Sequence, residues 1–189
     1  MSRLDVIVGP NGAGKTTLFE RVLAPLRPGL ALANADHVAA ERFPGREVEE
    51  AYEAARIAEA TRQALIEARL DFCTETVFSH DSKVELVTSA ASAGYDAVVH
   101  VVMIPLTLSA PRVAARVAVG GHDVPVDKLR ARYERFWPSV VAAVPHCYRI
   151  VFYDNATDDG PNEVASYRYG LADYQPRWPT WTPEPLQAL

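Results

Sequence analysis

Short apolar runs alternate with longer amphipathic stretches along this chain. The apolar runs predict five strands, at residues 4–8, 30–33, 71–77, 97–104 and 148–153. The amphipathic stretches predict helices at residues 16–23, 47–70, 81–93, 111–119 and 126–144. Strands that alternate with helices are typical of an α/β fold with a parallel sheet and helices on both faces.

A glycine-rich loop directly follows the first predicted strand. It reads G-P-N-G-A-G-K-T at residues 9–16, which is the G-x-x-x-x-G-K-[ST] motif between a strand and a helix. Its backbone N–H groups would face phosphates, Lys15 would reach the outer phosphates, and the Thr16 hydroxyl would bind Mg²⁺. Thr17 would contact a phosphate or cap the helix. The predicted nucleotide-binding residues are Gly9, Pro10, Asn11, Gly12, Ala13, Gly14, Lys15, Thr16 and Thr17.

Composition and net charge indicate which classes of binding partner to expect. The 189 residues are 49% hydrophobic and 23% charged, which suits a globular domain that buries its own core. The net charge of −5 argues against nonspecific binding to nucleic acid or an anionic membrane and favours a small-molecule partner. Cys73 and Cys147 lie in apolar, strand-like runs, so we expect buried, reduced thiols. With no signal peptide and no membrane-spanning run evident, we expect a cytoplasmic protein.

Acidic residues follow two of the predicted strands, at the sheet edge where parallel α/β proteins bind ligands. Asp36 follows the second strand, where its carboxylate would face the γ-phosphate and accept a proton from an acceptor hydroxyl. Alternatively, Asp36 only caps the next helix. Glu75 ends the third strand and would hold Mg²⁺ through water or bind the acceptor; alternatively, it is a solvent-exposed edge residue. The fourth strand ends without an acid, which shifts the metal role towards Thr16, Asp36 and Glu75.

Arginines flank a glycine-rich break at residues 120–125. Arg112 and Arg116 lie four residues apart on one helical face and repel each other unless an anion lies between them. Two helices of this kind, at about residues 107–145, predict a lid that closes over ATP and places positive charge on the γ-phosphate. Alternatively, the arginines form a solvated basic face paired with nearby acids. The arginines after the break are Arg130, Arg132 and Arg135, of which Arg135 is the most expendable.

The motifs together resemble the zeta toxin family of small kinases. They are G-P-N-G-A-G-K-T-T, N-A-D, E-T-V-F-S, R-V-x-x-R-V-x-x-G-G-H-D-V-P followed by R-Y, and Y-D-N. The resemblance extends from residue 4 to residue 155. It implies a P-loop kinase core with a five-stranded parallel sheet. It also implies ATP and Mg²⁺ as cofactors, the sugar 3′-hydroxyl of UDP-N-acetylglucosamine as acceptor, and an antitoxin protein as partner.

The resemblance also implies roles for individual residues. Asp36 matches the family's general base, and Glu75 matches its acceptor-binding acid. Arg116 matches the first γ-phosphate arginine, and Arg132 matches the second, with Arg130 as the competing choice. Arg112 is expected to contact the nucleotide, and the P-loop lysine and threonine match the ATP and Mg²⁺ residues. The predicted catalytic set is Lys15, Asp36, Arg116 and Arg132.

Other functions stay open at this point. Val77 stands where the family's threonine would help to hold the sugar nucleotide, so a kinase of another small alcohol, such as a nucleoside, a metabolite or an antibiotic, is an alternative. A regulatory module that binds ATP without chemistry is a further alternative. The chain lacks the L-S-G-G-Q motif of transporter ATPases and the N-K-x-D motif of GTPases. We place the kinase domain at residues 1–155 and read the Pro- and aromatic-rich residues 156–189 as an irregular C-terminal extension.

Overall fold

The computed structural model of the protein describes residues 2–118 and 124–189. Within these residues, seven strands form one sheet in the order β2-β3-β1-β4-β5-β6-β7. The strands are β1 Ser2–Val8, β2 Ala31–Ala33, β3 Phe72–Thr76, β4 Tyr95–Met103, β5 Arg149–Asp154, β6 Asn162–Arg168 and β7 Leu171–Ala172.

Helices cover both faces of this sheet. They are α1 Lys15–Leu18, α2 Ala24–Leu26, α3 Ala35–Arg42, α4 Ala51–Glu67, α5 Asp81–Ser92, α6 Leu106–Val117 and α7 Val126–Ala143. A π-helical segment, Phe19–Leu23, joins α1 to α2, and short 3₁₀ helices occupy Val144–His146 and Glu184–Ala188. The glycine-rich link of the predicted lid, residues 119–123, lies outside the described residues.

The five strands from β1 to β5 are parallel, which confirms the predicted α/β class and its parallel core. The predicted strand number was too low, because β6 and β7 extend the sheet in the antiparallel direction beyond β5. Alternating side chains of β1 enter two apolar clusters on opposite faces. Leu4, Val6 and Val8 pack towards α5 and α7, whereas Ile7 packs towards the α1–α2 segment.

The C-terminal extension is more regular than its composition predicts. In β6, Val164, Ala165 and Tyr167 are buried in the larger cluster, and β6 pairs with β5 through a register shift. Trp178 packs edge-to-face on Phe152 of β5, with ring centroids 5.2 Å apart. The strand pairing supplies the backbone hydrogen bonds that composition alone does not reveal.

Three helices differ from the predicted ones in their bounds or in their presence. Helix α6 begins at Leu106 after Pro105, and Pro111 lies inside it rather than at its start. Helix α4 is shorter than predicted at both ends. Helix α3 was not predicted, because it buries only Ala39 and therefore has almost no apolar periodicity.

Two further expectations concern the thiols and the membrane. Cys73 and Cys147 are buried free thiols, as predicted. Among residues 2–118 and 124–189, no helix combines the length and hydrophobicity needed to cross a bilayer.

Candidate active site

The glycine-rich loop connects β1 to α1 and is shaped by two glycines. Gly12 has φ 78° and Gly14 has φ 89°, in the left-handed region that glycine adopts without strain. A Cβ atom at Gly14 would lie 2.6 Å from Nδ2 of Asn155, and one at Gly12 would lie 3.0 Å from the carbonyl oxygen of Ser109. A side chain at either position would therefore be strained by the backbone conformation and would require a neighbouring group to move.

Lys15 folds back over this loop. Its Nζ donates hydrogen bonds to the carbonyl oxygens of Gly9 at 3.2 Å and Pro10 at 3.3 Å, and lies 4.0 Å from Oε1 of Glu75. Burial lowers the pKa of Lys15, and the nearby carboxylates of Glu75 and Asp36 oppose this change. A phosphate beside Nζ would offset the cost of burying this charge.

Glu75 is buried beside the loop, with a side chain only 10% exposed. Its Oε2 accepts hydrogen bonds from the hydroxyl of Thr16 at 3.1 Å and from Nδ2 of Asn34 at 3.2 Å. Burial raises the pKa of Glu75, while the charge of Lys15 lowers it. The alternative of a solvent-exposed edge glutamate is therefore wrong.

Asp36 lies in the first turn of α3, directly after β2. The residue that caps this helix is Asn34, whose Oδ1 accepts hydrogen bonds from the backbone N–H groups of Asp36 at 2.7 Å and His37 at 3.4 Å. The capping role considered for Asp36 thus belongs to Asn34. The Asp36 side chain instead lines a cavity above the strand ends.

This cavity has a volume of about 510 Å³, which is within the usual range for small-molecule sites. Side chains from the P-loop, α3, β3, α6 and α7 meet at its wall. The predicted site residues that line it are Asn11, Lys15, Asp36, Glu75, Arg116 and Arg132.

The remaining predicted arginines lie elsewhere. The guanidinium of Arg112 donates hydrogen bonds to the carbonyl oxygens of Asn155 at 2.8 Å and Ala156 at 3.4 Å, and Arg112 is not part of the cavity wall. The side chain of Arg130 is 72% exposed and pairs with Glu134. Between the two candidates for the second γ-phosphate arginine, only Arg132 lines the cavity.

Three further cations line the cavity that sequence reasoning did not identify: Arg62 from α4, Lys83 from α5 and Lys128 from α7. Each is a basic residue on an amphipathic helix, which normally indicates only a solvated face. No local signal distinguishes them, because the fold brings them together from three separate helices. Among the described lining residues, cations outnumber anions by six to two.

The Thr16 hydroxyl and the Glu75 carboxylate are hard oxygen donors of the kind Mg²⁺ prefers. The described residues contain no group of three or more His, Cys, Asp or Glu side chains able to hold a metal ion. A Mg²⁺ ion at this position would therefore take its other oxygen ligands from phosphates and water, as is usual for nucleotide-bound Mg²⁺.

A family model matches the part of the sequence that carries these motifs. The model described as Zeta toxin matches residues 3–158, which is most of the chain. The chain belongs to the zeta toxin family. A comparison of this sequence with functionally curated proteins finds no match.

Solved structures share the fold of this zeta toxin family member. A chain of the AvrRxo1-ORF1:AvrRxo1-ORF2 complex has a TM-score of 0.73 at 14% identity, over 93% of this chain and 61% of that chain; another structure of the complex contains ATP. The chain thus spans about three fifths of the length of that protein. A chain from the PezAT toxin-antitoxin system of Streptococcus pneumoniae has a TM-score of 0.60 at 14% identity, covering 86% of this chain and 70% of that one.

A further solved structure shares the fold. Shikimate kinase from Acinetobacter baumannii has a TM-score of 0.51 at 20% identity, over 85% of this chain and 86% of that chain. At these identities the likeness concerns the fold alone. The family match and these structures together show a member of the zeta toxin family with the fold of P-loop kinases.

Proposed function

We propose that this protein transfers the γ-phosphoryl group of ATP to a hydroxyl of a small, phosphate-bearing acceptor. The observation that carries the proposal is the shared cavity. Asp36 lines the same wall as Lys15 of the P-loop and the arginines of α6 and α7. A module that only held ATP would have no need of a carboxylate at this position.

ATP and Mg²⁺ occupy the P-loop side in this proposal. Gly9 to Thr17 bind the phosphates, and Lys15, Arg116 and Arg132 stabilise the charge on the γ-phosphate during transfer. The ATP bound in a structure of the same fold supports this choice of nucleotide. Thr16 would hold Mg²⁺, and the ion would supply positive charge that offsets the negative charge of the phosphates.

The Asp36 carboxylate accepts the proton of the acceptor hydroxyl. The hydroxyl oxygen then forms a bond to the γ-phosphorus, while the bond from that phosphorus to the β,γ-bridging oxygen breaks and ADP leaves with the bonding electrons. The buried Glu75, held by Thr16 and Asn34, orients the acceptor beside this hydroxyl. Little of the catalysis is covalent chemistry, because positioning and positive charge supply most of the rate in phosphoryl transfer.

The charge of the cavity narrows the acceptor class. After Lys15, Arg116 and Arg132 are assigned to ATP, three cations from α4, α5 and α7 still line the same space. Arg62 of α4 is already paired with Glu59, so Lys83 and Lys128 carry most of the positive charge offered to an acceptor. They favour an acceptor with its own phosphates and disfavour a cationic antibiotic. UDP-N-acetylglucosamine fits this description, although Val77 in the wall lacks the hydroxyl that a threonine would offer to it.

The proposal includes a regulatory partner and a location. Membership in the zeta toxin family and the fold shared with the PezAT protein support an antitoxin as protein partner. The use of ATP and the two free thiols suit the cytoplasm.

The decisive experiment combines an acceptor panel with an Asp36→Asn variant. The wild-type protein is incubated with γ-labelled ATP, Mg²⁺ and UDP-N-acetylglucosamine, a nucleoside, shikimate or an aminoglycoside, and the labelled product is identified by mass. We expect label on the nucleotide sugar, and we expect Asp36→Asn to lose about 10²- to 10⁴-fold in transfer while ATP still binds.

Glu41→Gln is the matched control, because Glu41 is an exposed residue of the same helix and makes the same carboxylate-to-amide change. Label on a neutral or cationic acceptor alone would overturn the acceptor class. Unchanged transfer by Asp36→Asn would remove this residue from the general-base role.

A further inference from the structure

Asn155 lies directly against the phosphate-binding loop, although it follows β5 and is 142 residues away from Ala13 in the sequence. Its backbone N–H donates to the carbonyl oxygen of Met103 at 2.9 Å, which fixes the residue at the end of β4. Its side-chain Nδ2 donates to the carbonyl oxygen of Ala13 at 2.7 Å. The same nitrogen occupies the space that a Cβ atom at Gly14 would need.

The hydrogen bond to Ala13 determines which way one loop peptide faces. In a trans peptide the C=O and N–H groups point in opposite directions. Because Asn155 holds the Ala13 carbonyl on its own side, the N–H of Gly14 in the same peptide points to the opposite side. An anion-binding loop requires its N–H groups to converge and its carbonyl groups to point away.

This peptide needs an external constraint. Gly12 and Gly14 on either side of Ala13 both have positive φ, and glycine moves between conformations with little steric resistance. A reversed Ala13–Gly14 peptide would direct a carbonyl oxygen at the phosphates. The Asn155 hydrogen bond opposes that reversal.

Arg112 holds Asn155 in turn. Its Nη1 and Nη2 donate to the carbonyl oxygens of Asn155 and Ala156, and the backbone N–H of Ala156 donates to Oδ1 of Asp154 at 2.9 Å. Arg112 belongs to α6, one helical turn before Arg116 of the cavity wall. One turn earlier in α6, the hydroxyl of Ser109 donates to the carbonyl oxygen of Asn11 at 2.8 Å.

We propose that Asn155 is a positioning residue that holds the phosphate-binding loop in its anion-binding conformation, and that Arg112 fixes Asn155 from the helix that carries Arg116. The inference rests on the proposed function in one respect, which is that the loop binds the phosphates of ATP. It gives Arg112 an indirect role through Asn155 in place of the predicted contact with the nucleotide.

The test measures the affinity of the purified protein for ATP and for inorganic pyrophosphate by calorimetry. We expect Asn155→Ala to weaken both ligands by the same factor of about 3 to 10, the effect of one hydrogen bond. Asn155→Asp keeps the size of the side chain but places a carboxylate beside the Ala13 carbonyl, so we expect a larger loss for this variant. A purely structural role would lower the melting temperature and leave the pyrophosphate affinity of the folded protein unchanged.

Arg112 is tested by a double-mutant cycle. If Arg112 acts through Asn155, the Arg112→Ala and Asn155→Ala losses are not additive, and the double variant binds pyrophosphate about as well as the weaker single variant. If Arg112 contacts the nucleoside instead, Arg112→Ala weakens ATP and leaves pyrophosphate binding intact. Asn162→Ala and Arg135→Ala serve as controls, because both side chains are exposed and lie outside the cavity wall.

The outcomes separate this inference from the proposed function. Wild-type affinity for pyrophosphate in folded Asn155→Asp and Asn155→Ala proteins would overturn the role of Asn155. Additive losses would overturn the role of Arg112. A wild-type protein that binds ATP but phosphorylates no acceptor would refute the proposed kinase activity and leave the positioning role supported by the binding data.

Discussion

Substitution by alanine should have different effects on the transfer rate at two arginines of α7. Arg132 lines the cavity, whereas Arg130 is 72% exposed and forms an i,i+4 pair with Glu134, with 3.1 Å between Nε and Oε1. Because both residues lie on one helix, Arg132→Ala and Arg130→Ala change helix propensity and net charge equally. A difference in their transfer rates therefore reports the position of the guanidinium relative to the cavity.

The expected size of the difference follows from electrostatics. A guanidinium about 4 Å from a phosphate oxygen interacts by about 4 kcal/mol at an effective dielectric constant of about 20. If this interaction acts in the transition state, its loss lowers the rate by about 10³-fold. The exposed pair of Arg130 contributes only about 0.3 to 0.5 kcal/mol to stability, and its loss leaves the transfer rate unchanged.

The assay compares kcat/KM for γ-phosphoryl transfer to the acceptor identified with the wild-type protein. We expect Arg132→Ala to lose about 10³-fold or more, Arg130→Ala to stay within about twofold of wild type, and Arg132→Lys to be intermediate because lysine keeps the charge but not the forked donors. Equal losses in both alanine variants, or a greater loss for Arg130→Ala, would show that the position of α7 in the structure does not govern catalysis.

Three further predictions concern nucleotide binding and stability. Lys15→Ala should weaken ATP binding at least tenfold in calorimetry, since it removes the cation proposed to contact the phosphates, and unchanged affinity would contradict this role of the P-loop lysine. Asp5 is fully buried; burial alone raises its pKa, but hydrogen bonds and charges from His100 and Arg3 lower it below its usual value. The ionised Asp5 therefore stabilises the fold above its unfolded-state pKa of about 4, and this contribution is lost as the pH falls through the folded-state pKa. Asp5→Asn should lower the free energy of unfolding, measured with urea at pH 7, by about 3 to 5 kcal/mol. The variant should also lose less stability than the wild-type protein when the pH is lowered. Leu186→Ala should cost about 2 to 5 kcal/mol, because Leu186 is buried in the core, whereas the exposed Leu171→Ala should have little effect; equal effects would mean that the extension is not part of the core.

The parts of the site that sequence predicted are those set by local chain geometry. The P-loop is one continuous motif. Asp36 follows β2 and Glu75 lies near the end of β3, and the carboxyl ends of parallel strands meet at one edge of a sheet, so the two carboxylates are expected to come together. The choice between Arg130 and Arg132 stayed open, because two residues of spacing turn a helical side chain to a different face. Only the packing of α7 decides which face meets the cavity.

Other features depend on contacts between distant segments. Asn155 belongs to a motif visible in the sequence, but its partner Ala13 is 142 positions away, and no spacing rule connects them. Strand β6 escaped prediction because its hydrogen bonds come from β5, while nearby prolines and polar residues hide its alternation. The basic residues of α4, α5 and α7 become one surface only after the helices pack.

The sheet ends in unusually short strands on both sides. On one side β2 has three residues, and on the other β7 has two. Exposed backbone donors and acceptors at a sheet margin invite foreign strands, and natural proteins limit this by shortening the outermost strands. The hairpin formed by β6 and β7 therefore covers the exposed edge of β5, the longer of the two outer strands of the parallel sheet, and the molecule should resist strand-mediated self-association at high concentration.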